Sequence, residues 1–124
     1  MEYNNKKWIL IGEGLPIVEG KAEGYARVIK KHFQNEQYQG GFQEGEILIS
    51  RSTIPEWEPL FSIASGIATE YGGFGSHAAQ VAPMYKKPCV IGIENLINNV
   101  STGDYLLVDG DSGKVYKSEK WFFF

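Results

Sequence analysis

The chain has 124 residues, with 12 Lys and Arg against 15 Asp and Glu for a formal charge of −3. That length fits one compact domain, expected to run over 1–124, and the mild acidity supplies no basic field to draw the chain to nucleic acid or to an anionic membrane. A lone cysteine, Cys89, cannot close an internal disulfide, and Met1-Glu2-Tyr3-Asn4 is no charged and apolar leader, so a cytoplasmic protein is expected.

Trp8 to Ile11 is a short apolar run, and Gly12-Glu13-Gly14-Leu15-Pro16 supplies turn residues that should end it. YARVI, Tyr25 to Ile29, reads as a strand. Lys30 to Gln43, with Gly40-Gly41 inside it and His32 near its start, reads as a polar surface excursion. EILIS, Glu46 to Ser50, reads as a buried strand, and Arg51-Ser52-Thr53-Ile54-Pro55 leads into a helix with Glu56 and Glu58 in its first turn. Trp57, Leu60, Phe61 and Ala64 recur at helical spacing and should face a core. GIATEY, Gly66 to Tyr71, reads as a strand. The glycine loop Gly72-Gly73-Phe74-Gly75 follows, Ser76 onward is helical in composition, and PCVIGIE, Pro88 to Glu94, is another apolar strand. That order predicts a βαβ unit, with the loop at the carboxyl end of a strand and the amino end of a helix, where open α/β sheets bind ligands. YLLVD and KVYK flank Gly110-Asp111-Ser112-Gly113, a hairpin signal. The two histidines, His32 and His77, and Cys89 lack the paired spacing of a zinc site, so no metal is expected.

GGFGSHAAQ, Gly72 to Gln80, supports several readings. Gly73-x-Gly75-x-x-Ala78 fits a dinucleotide fingerprint, with Glu94 at the end of the next strand. Against it, thirty residues follow Glu94, too few to finish a doubly wound sheet, and Pro83 should interrupt the required helix. Upstream, Gly14 to Lys21 fails as a P-loop, because five residues separate Gly14 from Gly20 and Ala22 stands where Ser or Thr is needed. Alternatively, His77 in the first helical turn is a nucleophile for phosphoryl groups. A helix amino terminus keeps an imidazole neutral and offers N–H groups to phosphate oxygens. Gly73 and Gly75 would let backbone approach the phosphate, and Ser76 would cap the helix or donate to it. The plain structural alternative makes Ser76 only a cap and His77 a polar residue at a helix start.

The longer run GIATEYGGFGSHAAQVAPMYKKPCVIG resembles the phosphohistidine signature of the mobile, swivelling domain of phosphoenolpyruvate-utilising enzymes, such as pyruvate phosphate dikinase, phosphoenolpyruvate synthase and rifampicin phosphotransferase. That pattern reads approximately T-[DE]-x-G-G-x-T-S-H-A-A-I-V-A-R-E-x-G-I-P-A-V-V-G. Thr69, Glu70, Gly72, Gly73, Ser76, His77, Ala78, Ala79, Val81, Ala82, Pro88, Val90 and Gly92 stand at matching positions. EGEILISRSTIPEWEPLF, GKAEGYARVI and TGDYLLVDGDSGKVY also look like family segments, so the resemblance covers about Leu15 to Tyr116 in order.

The resemblance implies a compact α/β fold of the swivelling β/β/α type. His77 would carry a phosphoryl group to a second substrate, with Thr53 and Thr69 lining the phosphate pocket beside Gly73, Gly75 and Ser76. It also implies no cofactor bound by this domain itself. Magnesium and ATP or phosphoenolpyruvate would sit on a partner, an ATP-grasp domain or a phosphoenolpyruvate/pyruvate-binding barrel on a separate chain. Arg27 and Arg51 are the only arginines, and a helix terminus contributes only about 0.3–1 kcal/mol to holding an anion, so further cations would come from that partner. Gly75 replaces a Thr of the pattern, Gln80 an apolar residue, and Pro83-Met84 an Arg-Glu pair. The alternative is a degenerate swivelling domain that binds a partner without catalysis. Cys89 reads as a small buried hydrophobe, and Trp121-Phe122-Phe123-Phe124 is too short to cross a membrane.

Overall fold

The structure, a computed structural model, describes residues 1–30 and 41–119. His32, most of the polar excursion and the aromatic tail lie outside the described residues. Among the described residues nine strands form one mixed sheet: β1 (Glu2–Tyr3), β2 (Lys6–Glu13), β3 (Leu15–Val18), β4 (Lys21–Ile29), β5 (Ile47–Ser50), β6 (Gly66–Thr69), β7 (Cys89–Ile91), β8 (Tyr105–Asp109) and β9 (Lys114–Ser118). Their spatial order is β1-β2-β9-β8-β4-β5-β6-β7-β3. Three α-helices complete the α/β domain: α1 (Glu58–Ile63), α2 (His77–Tyr85) and α3 (Leu96–Asn99), with a 3-10 turn, Pro55–Trp57, leading into α1. Among the described residues no helix is long and apolar enough to cross a membrane.

The sheet has two regimes, and β4 belongs to both. Lys21 to Tyr25 pair antiparallel with β8, whereas Ala26 to Ile29 pair parallel with β5. From β4 the parallel order continues through β5, β6 and β7, so β6-α2-β7 is the βαβ unit the sequence predicts. The β8-β9 hairpin also forms where its turn residues place it.

The segment Gly12 to Pro16 departs from expectation. Instead of a turn, β2 runs to Glu13 and β3 begins at Leu15. β2 pairs with β9 while β3 pairs with β7, so one run of chain, interrupted only at Gly14, joins opposite ends of the sheet order and curls the sheet. A Cβ at Gly14 would overlap the carbonyl oxygen of Ile91. Glycine serves close packing here rather than a turn. Pro16 is tolerated because β3 has a strand neighbour on one side only.

Residues of β5 alternate between two cores. Leu48 joins Phe61, Ile67, Ala78, Ala82 and Ile91 beneath α1 and α2. Ile47 and Ile49 join Ala26, Ala68, Val90, Leu106 and Val108 on the opposite face. Burial on both faces explains why EILIS reads as a continuous apolar run. Trp57, Leu60, Phe61 and Ala64 are all buried, as their spacing requires.

Pro83 neither ends nor splits α2, contrary to the sequence expectation. The helix continues to Tyr85 and closes at Lys86, which takes a left-handed conformation (φ 57°) and donates its backbone N–H to the carbonyls of Ala82 and Pro83. Pro83, the seventh residue of α2, has no N–H to give the Ala79 carbonyl, so the helix carries that one missing bond without breaking, and its ring is exposed.

Candidate functional site

The site lies where the carboxyl ends of β5 and β6 meet the amino end of α2. Parallel register sets Ser50 opposite Thr69, and hydrogen bonding continues past the strand ends: Glu70 donates its N–H to the Ser50 carbonyl at 3.0 Å and Tyr71 to the Arg51 carbonyl at 2.8 Å. The β5-α1 loop is thereby zipped against the loop before α2. In consequence Thr53, 24 residues from His77, brings its Oγ1 to 2.8 Å from His77 Nδ1.

Ser76 caps α2. Its backbone is extended (φ −71°, ψ 160°), and its hydroxyl accepts the Ala79 N–H at 3.3 Å. One orphan donor of the first turn is satisfied and the helix starts at His77. Ala78, Ala79, Val81 and Ala82 face inward, so α2 lies against β3, β7 and α1 with His77 at its outer end. The carboxamide of Gln80 folds back to donate to the Gly75 carbonyl at 3.3 Å.

The imidazole is half-buried, with its ring edge-on to Phe61 (centroids 5.9 Å apart, planes at 79°). Burial holds its pKa below the usual histidine value near 6.5, while the carboxylates of Glu58 and then Glu56 oppose that shift. The ring therefore favours its neutral form at pH 7, with Nδ1 engaged by Thr53.

The remaining predicted residues are placed as follows. Thr69 is fully buried, and its hydroxyl donates to the carbonyl of Tyr71 at 3.0 Å. Gly73 and Gly75 border open space, since a Cβ at either would meet no atom within 4 Å. The loop glycine with a conformational demand is Gly72, at φ 128° and packed against the Ser76 side chain. Glu70 does not approach His77; its carboxylate accepts the Ile97 N–H at 2.8 Å at the start of α3. Cys89 is buried, and burial pushes its thiol up to about 12, far from reactive. Arg27 forms a two-bond pair with Glu46, at 3.0 and 3.1 Å, away from the site loop. Spacing gave no sign of Phe61 and Glu58 at the ring, because their nearness depends on how α1 crosses α2.

A neutral, half-buried imidazole thus sits against a hydroxyl at a loop-to-helix junction on a parallel βαβ unit. The chain belongs to the mobile-domain family of phosphoenolpyruvate-utilising enzymes: the family model described as PEP-utilising enzyme, mobile domain, matches residues 42–113. It is 35% identical over 102 residues to the rifampicin phosphotransferase of Streptomyces sviceus, covering 82% of this chain and 11% of that protein. It is 37% identical over 113 residues to the phosphoenolpyruvate synthase of Aquifex aeolicus, covering 89% of this chain and 13% of that protein. The chain therefore spans a small part of the length of these relatives. Among solved structures, Enzyme I (nEIt) superposes with a TM-score of 0.57 at 29% identity, over 67% of this chain and 34% of that one.

Proposed function

We propose that this chain is a phosphohistidine carrier, with His77 as the nucleophile. The observation that carries the reading is the 2.8 Å contact between Thr53 Oγ1 and His77 Nδ1 on a ring that burial keeps neutral. With Nδ1–H donating to Thr53, the lone pair of Nε2 attacks the phosphorus of a donor. The bond from phosphorus to the donor's leaving oxygen breaks and its electron pair goes to that oxygen, leaving the phosphoryl group on Nε2. Attack by an acceptor oxygen at the same phosphorus then releases the ring. Thr53 is the positioning residue throughout, and the first turn of α2 directs N–H groups toward the incoming phosphate oxygens. Gly73 and Gly75 leave the approach open, and Thr69 supports the strand end behind it.

The donor and the acceptor belong to other domains. A separate ATP-grasp domain or a phosphoenolpyruvate/pyruvate-binding barrel would supply ATP or phosphoenolpyruvate, together with magnesium and the cations that phosphoryl transfer requires.

The test is transfer of labelled phosphate from ATP or phosphoenolpyruvate in the presence of a matching partner. Acid-labile, base-stable label is expected on the wild type and none on His77→Ala. Full labelling of His77→Ala refutes the assignment, and a partner that binds tightly without labelling the wild type refutes the carrier in favour of a binding module.

A further inference from the structure

Two carboxylates, Glu58 of α1 and Glu56 of the turn before it, act on His77. α1 crosses α2 so that the Phe61 ring stands between those of His77 (5.9 Å) and Tyr85 (6.2 Å). Glu58 lies one turn before Phe61 on the same face of α1, and its Oε2 accepts the Tyr85 hydroxyl at 3.4 Å. The carboxylate is thus tied to α2 on the side that carries His77. Glu56, in the preceding 3-10 turn, adds a second, exposed carboxylate. Glu58 and then Glu56 pull the imidazole pKa upward against burial, and Arg51, two residues from Thr53, is exposed. Tyr85 faces the site through Glu58, and its phenol is held neutral well past pH 7 by burial and by that carboxylate.

A phosphoryl group on Nε2 brings about two negative charges on its oxygens, and with the proton kept on Nδ1 the site gains a net charge of about −1, where two carboxylates already stand. We propose that Glu58, reinforced by Glu56, is a charge-setting residue for phosphorylated His77: it disfavours the added anion and keeps the phosphoryl group at high transfer potential. The inference rests on the carrier reading. It makes the site a poor store of phosphate and a good donor, with relief supplied when a cationic acceptor face covers the rim.

Exchange with N-phosphoimidazole, followed by phosphorus NMR on the whole chain, tests it without a protein partner. The phosphorus–nitrogen bond of the protonated reagent breaks with its electron pair going to the departing imidazole, and the bond to His77 Nε2 forms; the proton on Nδ1 stays. The equilibrium constant reports transfer potential directly. Glu58→Gln should shift it toward phospho-His77 by about threefold, and Glu56→Gln with Glu58→Gln by about tenfold. The titration midpoint of the phosphorylated ring should fall in the same order, a readout that a purely structural role would not move. Tyr85→Phe frees the carboxylate without removing its charge and should give a smaller shift of the same sign. Unchanged equilibria and midpoints in a wild type and variants that are all labelled at His77 would sink the inference alone. Failure of the reagent to label wild-type His77 would overturn the carrier reading and this one with it.

Discussion

Thr53→Val is the most informative single substitution. Valine keeps the volume of a residue that is 7% exposed but removes the hydroxyl 2.8 Å from His77 Nδ1. Two consequences follow, each with a magnitude. The ring nitrogen loses its partner in a half-buried setting, a cost of about 1–3 kcal/mol, or a fall of about 3–18 °C in melting temperature for a domain of this size. The ring also loses the contact that favours a proton on Nδ1, so a larger share of molecules carries it on Nε2, where it blocks attack. Loss of one such contact, about 1.4 kcal/mol, predicts a rate of phosphorylation by N-phosphoimidazole about tenfold below wild type. Thr53→Ser, which keeps the hydroxyl, should recover most of the rate. Nitrogen-15 NMR of the imidazole reads the tautomer, and phosphorus NMR the rate. If Thr53→Val keeps both the wild-type tautomer ratio and the wild-type rate, the hydroxyl does not position the ring and the reasoning fails.

Other outcomes follow from the same coordinates. Ser76→Ala removes the α2 cap and should cost about 1 kcal/mol in denaturant unfolding, with Ser76→Gly costing less. Gly14→Ala, which would thrust a methyl group onto the Ile91 carbonyl, should destabilise severely or prevent folding, whereas Gly73→Ala and Gly75→Thr, facing open space, should fold with near wild-type melting temperatures. The folded-state pKa of His77 lies below its unfolded value, so the folded state binds the proton less readily. Its contribution to stability is present above about pH 6.5 and is lost as pH falls from there through the folded value. Proton NMR should place the His77 midpoint below 6.5, and His77→Gln should flatten that part of the stability curve; a midpoint at or above 6.5 would contradict the burial argument.

Local signals were the legible ones. Ser76 ahead of a small-residue helix fixed the start of α2 because a cap is chemistry within one turn, and the continuous apolar run of EILIS betrayed a strand covered on both faces. Gly12 to Pro16 misled because glycine there answers a contact with Ile91, residues far away in sequence, so a turn and a packed strand look alike locally. Pro83 misled because its cost depends on where the helix ends, and that is decided at Lys86. At the site, His77 and Ser76 were readable, and the family pattern carried Thr53 along. What no spacing showed was how Thr53 and Thr69 divide their tasks. Thr69 ends β6 while Thr53 lies in the loop after β5, and one hydroxyl meets the imidazole while the other donates to the carbonyl of Tyr71.

The hydrogen bond from Glu119 N–H to the Lys7 carbonyl, together with the pairing of Trp8 with Ser118, closes one end of the sheet. Met1 is drawn to the same place, its carbonyl accepting the N–H of Trp8. The first residue and the last described one, Glu119, therefore flank the same strand end, and β2 binds both with its backbone there, so fraying at one would loosen the other.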